Sequence, residues 1–201
     1  MATKLTYYDF ALEDFKYLED AYNCGLRYSP MTSQAQNTAE RFLKHILKEY
    51  VEGIEEDSEI LRTHSIKKLY AEITQELPDF RLKRNCVAVI NGYYFEVRYP
   101  GDSAFIASTA DVEDCYAALI EIKEGVECYM QTHLSITDKV LVYTRIVNSV
   151  DDAAVAKQLY GKYVAEFKSL KELDTFLETE GYKSSILVKE QEGIKRLLKM
   201  D

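Results

Sequence analysis

Through the first two-thirds of the chain, apolar residues recur at three-to-four spacing. Tyr8, Leu12, Phe15, Leu18, Tyr22 and Gly25 share one helical face, with Ala11 and Ala21 beside them. Gly25 and Pro30 mark where that helix stops. A second and broader stripe runs through Ala35, Ala39, Phe42, Leu43, Ile46, Leu47, Tyr50 and Ile54. It ends in an acidic run of Glu52, Glu55, Glu56, Asp57 and Glu59, which reads as a solvated helix end and loop. Ile66, Leu69, Tyr70, Ile73 and Leu77 predict a third helix, with Thr63 or Ser65 as its cap and Pro78 closing it. A fourth element spans about Phe80 to Ile90. A loop follows from Asn91 to Ser108, carrying Asn91-Gly92, Pro100-Gly101 and the tyrosines 93, 94 and 99. Val112, Cys115, Leu119, Ile122, Val126 and Met130 predict a long fifth helix capped by Ser108 or Thr109. Helices of this length on short connections predict a mainly α fold, an antiparallel up-and-down bundle of about five helices over residues 1–135.

After His133 the texture changes. The run Lys139-Val-Leu-Val-Tyr-Thr-Arg-Ile-Val147 is β-branched, apolar and bounded by turn formers, so it is expected to be a strand. A helix is expected from Asp151 and another from Leu170 to Glu180, the latter with Ser169 and Glu172 as a capping box and Gly181 as its stop. A second strand at Lys183–Lys189 and a short helix at Gly193–Met200 would complete the chain. Residues 136–201 therefore form a C-terminal appendage, either a small α+β unit or an all-helical extension, because periodicity does not settle short apolar runs.

Composition narrows what such a protein can do. In 201 residues, 34 acidic against 25 basic side chains leave a net charge of −9. General duplex-DNA binding and attachment to anionic membranes both need clustered positive charge and are not expected. No run reaches the roughly 20 apolar residues of a membrane span. The opening MATKLTYYDF does not read as a signal peptide, so a cytoplasmic location is expected. The scattered cysteines, Cys24, Cys86, Cys115 and Cys128, read as buried, reduced thiols. Sixteen tyrosines and no tryptophan suit helix interfaces in which a ring packs and its hydroxyl reaches a partner.

Common catalytic signatures are missing. No GxGxxG follows a strand, and Gly161-Lys162 lacks the upstream glycine of a phosphate-cradling loop, position 156 being alanine. There is no HExxH and no GxSxG. The three histidines, His45, His64 and His133, leave little for a metal site, so neither metal nor cofactor is expected. Asp111 and Asp114 are three apart at a helix start, where carboxylates suit the dipole.

Three clusters remain: Gln36-Asn-Thr-Ala-Glu40-Arg-Phe-Leu-Lys44, Thr63-His64-Ser-Ile-Lys-Lys-Leu69 and Tyr94-Phe-Glu-Val-Arg98-Tyr99-Pro100. In this order, within five helices, they resemble the HEPN domain (higher eukaryotes and prokaryotes nucleotide-binding) over roughly residues 5–133. Its members carry a Gln-x-x-x-Glu-x-x-x-Lys helix, a Thr-His helix start and a Tyr-x-x-x-Arg-Tyr-Pro segment before the final long helix. The resemblance implies a helical bundle that dimerises, binds nucleotides or acts on RNA, and often stands beside a separate minimal nucleotidyltransferase in toxin–antitoxin or defence systems. Its ribonuclease branch relies on an Arg followed, after four to six residues, by a His. Here His45 has Arg41 with three residues between, His64 has Arg62 with one, and His133 has no nearby upstream Arg. The nearest echo, Arg84-Asn85 followed by Asn91, ends in a side chain that exchanges no proton near neutral pH. No catalytic residue is therefore assigned. A nucleotidyltransferase would need a Gly-Ser and an Asp-x-Asp pair; the chain has no Gly-Ser, so a partner would have to supply that activity.

The expectation is a non-catalytic, dimeric HEPN-like protein that binds a nucleotide or RNA, or partners a nucleotidyltransferase. A metal-independent endoribonuclease around Arg84, Asn91, Tyr93, Tyr94 and Arg98 and a pure protein-interaction module are the alternatives. Arg98 is the leading ligand candidate, because an arginine fork grips phosphate in two places, and Tyr94 or Tyr99 can stack on a base; the alternative is a buried arginine paired with a helix carboxylate that pins the loop. Arg81, Lys83 and Arg84 with Arg98 make the locally basic stretch. His64 and Lys44 complete the candidates. Lys44 sits four residues after Glu40, the spacing of a helix ion pair that is usually at the surface, and a histidine in a first helical turn is more often a hydrogen-bonding group than a ligand.

Overall fold

The computed structural model describes residues 5–182, apart from 94–96, 103 and 168 and the side chains of Arg84 and Lys171. Its described elements are helices: α1 (Tyr7–Asn23), α2 (Pro30–Tyr50), α3 (Ile66–Glu76), α4 (Arg84–Ile90), α5 (Thr109–Thr132), α6 (Ile136–Ser149), α7 (Ala153–Glu166) and α8 (Leu173–Thr179). Single 3-10 turns occupy Glu59–Arg62 and Leu170–Glu172. The protein is a mainly α helical bundle. By packing it divides into two compact units, one running to Tyr129 and one from Met130.

Helix starts follow local chemistry. The Thr6 hydroxyl accepts from the Asp9 amide while the Asp9 carboxylate accepts from the Thr6 amide at 2.6 Å, closing a capping box on α1. These Thr6 bonds hold the Asp9 carboxyl below its usual range. Ser65 caps α3, and Ser108 with Asp111 caps α5 in the same reciprocal way. Gly25, at φ +80°, ends α1 in a conformation that side chains disfavour.

In the first unit, side-chain contacts fix the directions of the helices. Tyr8 at the start of α1 meets His45 and Phe42, whereas Asp14 pairs with Arg41, so α1 and α2 run antiparallel. Along the other side of α1, the Tyr8 hydroxyl donates to Glu127 at 2.7 Å, Lys123 lies over the Phe15 ring, and Tyr22 stacks on Tyr116 at 4.0 Å. That order makes α5 antiparallel to α1 as well. The tyrosine-rich composition is spent on these interfaces, where rings pack and hydroxyls reach carboxylates. Phe42, Leu43, Ile46 and Leu47 of α2 are fully buried with Leu69 and Ile73 of α3 and Leu119 and Ile122 of α5. The fourth predicted element is helical only from Arg84; before it Phe80 is buried against Tyr129 at 5.3 Å. At Gly125 the backbone of α5 passes so close to Leu82 that an added Cβ would strike the leucine Cδ2, which accounts for a glycine inside a long helix.

The second unit has its own core: Leu134, Val142, Ile146, Val150, Ala156, Leu159, Tyr163, Leu173, Phe176 and Leu177. The strand expected at Lys139–Val147 is instead the middle of α6. Ser135 caps that helix by accepting from the Asp138 amide, and Val142, Ile146 and Ser149 face the core. Residues with strand propensity are carried in a helix because tertiary packing outweighs intrinsic preference. Asp152, not Asp151, caps α7, through bonds from the amides of Ala154 and Val155. Ser169 makes no side-chain cap; its carbonyl accepts the Tyr163 hydroxyl instead. Gly181, at φ +86°, follows α8. The strand expected at Lys183–Lys189 and the helix at Gly193–Met200 fall outside the described residues. Cys86 and Cys115 are buried, but Cys24, just past the end of α1, and Cys128 are exposed, which corrects the expectation for those two. Among the described residues no helix is long and apolar enough to cross a membrane.

Candidate functional site

A line of polar residues runs along one side of α2. Gln36, Glu40 and Lys44 are spaced by four residues, so they lie one above another, and all three are buried, at 2%, 4% and 6% exposure. They border the apolar stripe of the same helix, which carries them into the bundle. Lys44 Nζ contacts Glu40 Oε1 at 2.6 Å. The pair expected at the surface is therefore an interior one, and its carboxylate has a second partner. Glu40 Oε2 lies 3.0 Å from Nδ1 of His64, a side chain 40% exposed just before α3. The tautomer with hydrogen on Nδ1 satisfies both groups, since a carboxylate beside an ammonium accepts. One carboxylate thus joins a buried cation on its own helix to the segment that leads into α3.

Gln36 continues the network. Its Nε2 donates to the His64 carbonyl at 2.9 Å, and its Oε1 accepts from the Gly92 amide at 3.1 Å. Gly92 has φ +118°, in the left-handed region that favours glycine. Beside it, Asn91 Oδ1 accepts from the Ser65 hydroxyl at 3.3 Å and the Lys67 amide at 3.2 Å. Asn91 therefore serves the first turn of α3. With Ser65 accepting from the Lys68 amide as well, the Lys67 and Lys68 amides of that helix start are taken by the protein itself.

The structure brings some of the expected site residues together and separates others. Lys44 and His64 meet through Glu40. Arg98 and Tyr99 lie side by side on an exposed turn, Tyr99 at 57% exposure. Arg84 opens α4. Tyr94 is outside the described residues. Lys83, in the basic stretch, contacts Glu121 at 3.0 Å, and Arg81 donates to the neighbouring Phe80 carbonyl. Tyr93, which flanks the expected ligand segment, sits edge-on to Phe105 and donates to Asp111 at 3.1 Å. Burial, reinforced by the nearby Cys115 and Asp111, raises its hydroxyl far above the usual range, and burial pushes the Cys115 thiol up to about 12. Both groups stay protonated through the physiological pH range, and the Tyr93 hydroxyl serves as a structural donor.

Two residues central to this arrangement, Gln36 and Gly92, were absent from the expected ligand set. The signal for Gln36 was available, because Gln36, Glu40 and Lys44 flank Ala39, Leu43 and Leu47 on the helical wheel. Contacts that reach across 56 residues, as Gln36 to Gly92 does, leave no local trace.

A model of the HEPN domain matches residues 6–129. The chain belongs to the HEPN family. No curated protein and no solved structure matches it. The HEPN match stops where the first compact unit stops, so the buried network and the Arg98–Tyr99 turn both lie in the HEPN domain, and residues from Met130 on lie beyond it.

Proposed function

We propose that this HEPN protein is a non-catalytic binder of a nucleotide or an RNA segment, acting alone or beside a separate nucleotidyltransferase. The observation that carries the reading is the exposed turn that sets Arg98 next to Tyr99 in the HEPN domain. A guanidinium fork matches phosphate oxygens, and an adjacent phenol ring offers a stacking face to a base.

The histidines support the non-catalytic half. His45 is buried and held neutral, its titration brought down to about 4 by burial. His64 is tied to Glu40, and His133 lies past the HEPN match. Asn91, where the ribonuclease branch would have histidine, is committed to α3.

A thermal-shift series with nucleoside mono-, di- and triphosphates and a short single-stranded RNA tests this. A ligand at a hundred times its Kd adds about 2.7 kcal/mol of stability, a shift of several degrees. The shift is expected in the wild type and lost in Arg98→Ala. Cutting of the RNA without added metal would overturn the non-catalytic reading, and absence of any shift in a folded protein would overturn the ligand.

A further inference from the structure

The loop that carries the Arg98–Tyr99 turn is held at both ends by α2. At its entry, Gln36 Oε1 accepts the Gly92 amide at 3.1 Å. At its exit, the Ser29 hydroxyl at the head of α2 accepts the Ala107 amide at 2.8 Å. Side chains two turns apart on one helix thus clamp backbone groups fifteen residues apart in the loop.

The entry clamp is the better supported of the two. Gln36 is 2% exposed and uses both ends of its carboxamide, donating to the His64 carbonyl and accepting from Gly92. The carbonyl it grips belongs to the residue whose ring takes the Glu40 carboxylate, which in turn holds Lys44. The carboxamide therefore measures the loop entry against a buried ionic anchor rather than against a mobile surface group. A buried amide with both ends satisfied is orientationally fixed, because rotating it would place like groups against each other. On the other side of Gly92, Asn91 ties the same entry to the start of α3.

We infer that Gln36 is a positioning residue for the ligand turn, fixing the loop entry at Gly92 to the Glu40–Lys44–His64 anchor so that Arg98 and Tyr99 are presented in one arrangement. The inference rests on the proposed role of that turn, but its first test does not. In residue-resolved hydrogen exchange on the full chain, Gln36→Met should speed exchange of the Gly92 amide and of the non-proline amides at 97–102 by about tenfold, as loss of a buried hydrogen bond does. Amides of the α2 interior, such as those of Phe42 to Leu47, should stay slow. Unchanged exchange at 97–102 in a folded Gln36→Met protein would overturn the inference. Should that variant fail to fold, Gln36→Asn, whose shorter side chain cannot span from the His64 carbonyl to the Gly92 amide, serves in its place, with the same faster exchange expected and no change overturning the inference.

The second readout is the nucleotide or RNA that stabilises the wild type. Gln36→Met, with Arg98 intact, should weaken that ligand about tenfold; full affinity with a loosened turn would overturn the positioning role and leave the reading of Arg98 standing. A wild type that binds none of these ligands would remove the proposed function, and the exchange comparison alone would then decide whether Gln36 sets the turn.

Discussion

His45 lies on α2 with its ring 5.4 Å from that of Tyr8 and 6.3 Å from that of Tyr50, and its Nδ1 has no hydrogen-bond partner. Burial lowers its titration from 6.5 to about 4, against a smaller upward pull from Asp9. The folded protein thus keeps the ring neutral at pH values where the unfolded chain protonates it. The stability this contributes is complete above pH 6.5 and is lost as pH falls from there towards 4. Between pH 7.5 and pH 5 the loss should be about 2 kcal/mol, read from urea denaturation at the two values. His45→Phe should flatten that dependence, and an unflattened curve would assign the loss to other groups. In the sequence this residue is one of two histidines with an arginine shortly upstream, and nothing local marks it as interior. Lys44 and Glu40 show the same limit: their spacing predicts the pair, but burial depends on His64, a residue 24 positions away from Glu40.

At the scale of elements, periodicity made α1, α2, α3 and α5 readable, because each has one apolar face and a polar remainder. α6 has apolar residues on two sides. Val142 and Ile146 are fully buried, while Val140, Leu141, Tyr143 and Val147 are 40–59% exposed. Its polar residues, Thr137, Thr144 and Asn148 among them, are spread along the helix, and the β-branched, apolar run between them imitates a strand. The signal that the run hid is Ser135 three residues before Asp138, an N-terminal capping pattern. The two conformations make different demands on side chains. A strand would put Val140, Val142 and Ile146 on one face, whereas the helix turns Val140 outward. Ile146→Ala should therefore cost about 2–5 kcal/mol, and Val140→Ser should stay within about 0.5 kcal/mol of the wild type in chemical denaturation. Equal, large losses at both would contradict the helix. The loop contacts were the least readable. Asn91 and Gly92 look like an ordinary turn, and their pairing with Ser65, Lys67 and Gln36 comes from helix packing alone.

For the whole molecule, the net charge of −9 limits how RNA can be held. Single-stranded binding weakens with salt by a slope of about −0.7 per phosphate neutralised. One exposed arginine and a neighbour or two predict that log Kd rises against log salt with a slope of about +1 to +2, and one beyond about +4 would require a broad basic face instead. The buried ion pair has a separate consequence for the molecule as an object of chemistry. Among the described residues Lys44 is the buried lysine, with its amine held by Glu40 while lysines such as Lys16 and Lys83 face water. An acylating reagent that marks exposed amines within seconds should reach Lys44 only when α2 parts from its neighbours. The rate at which that one amine is acylated is then a clock for the opening of the HEPN bundle.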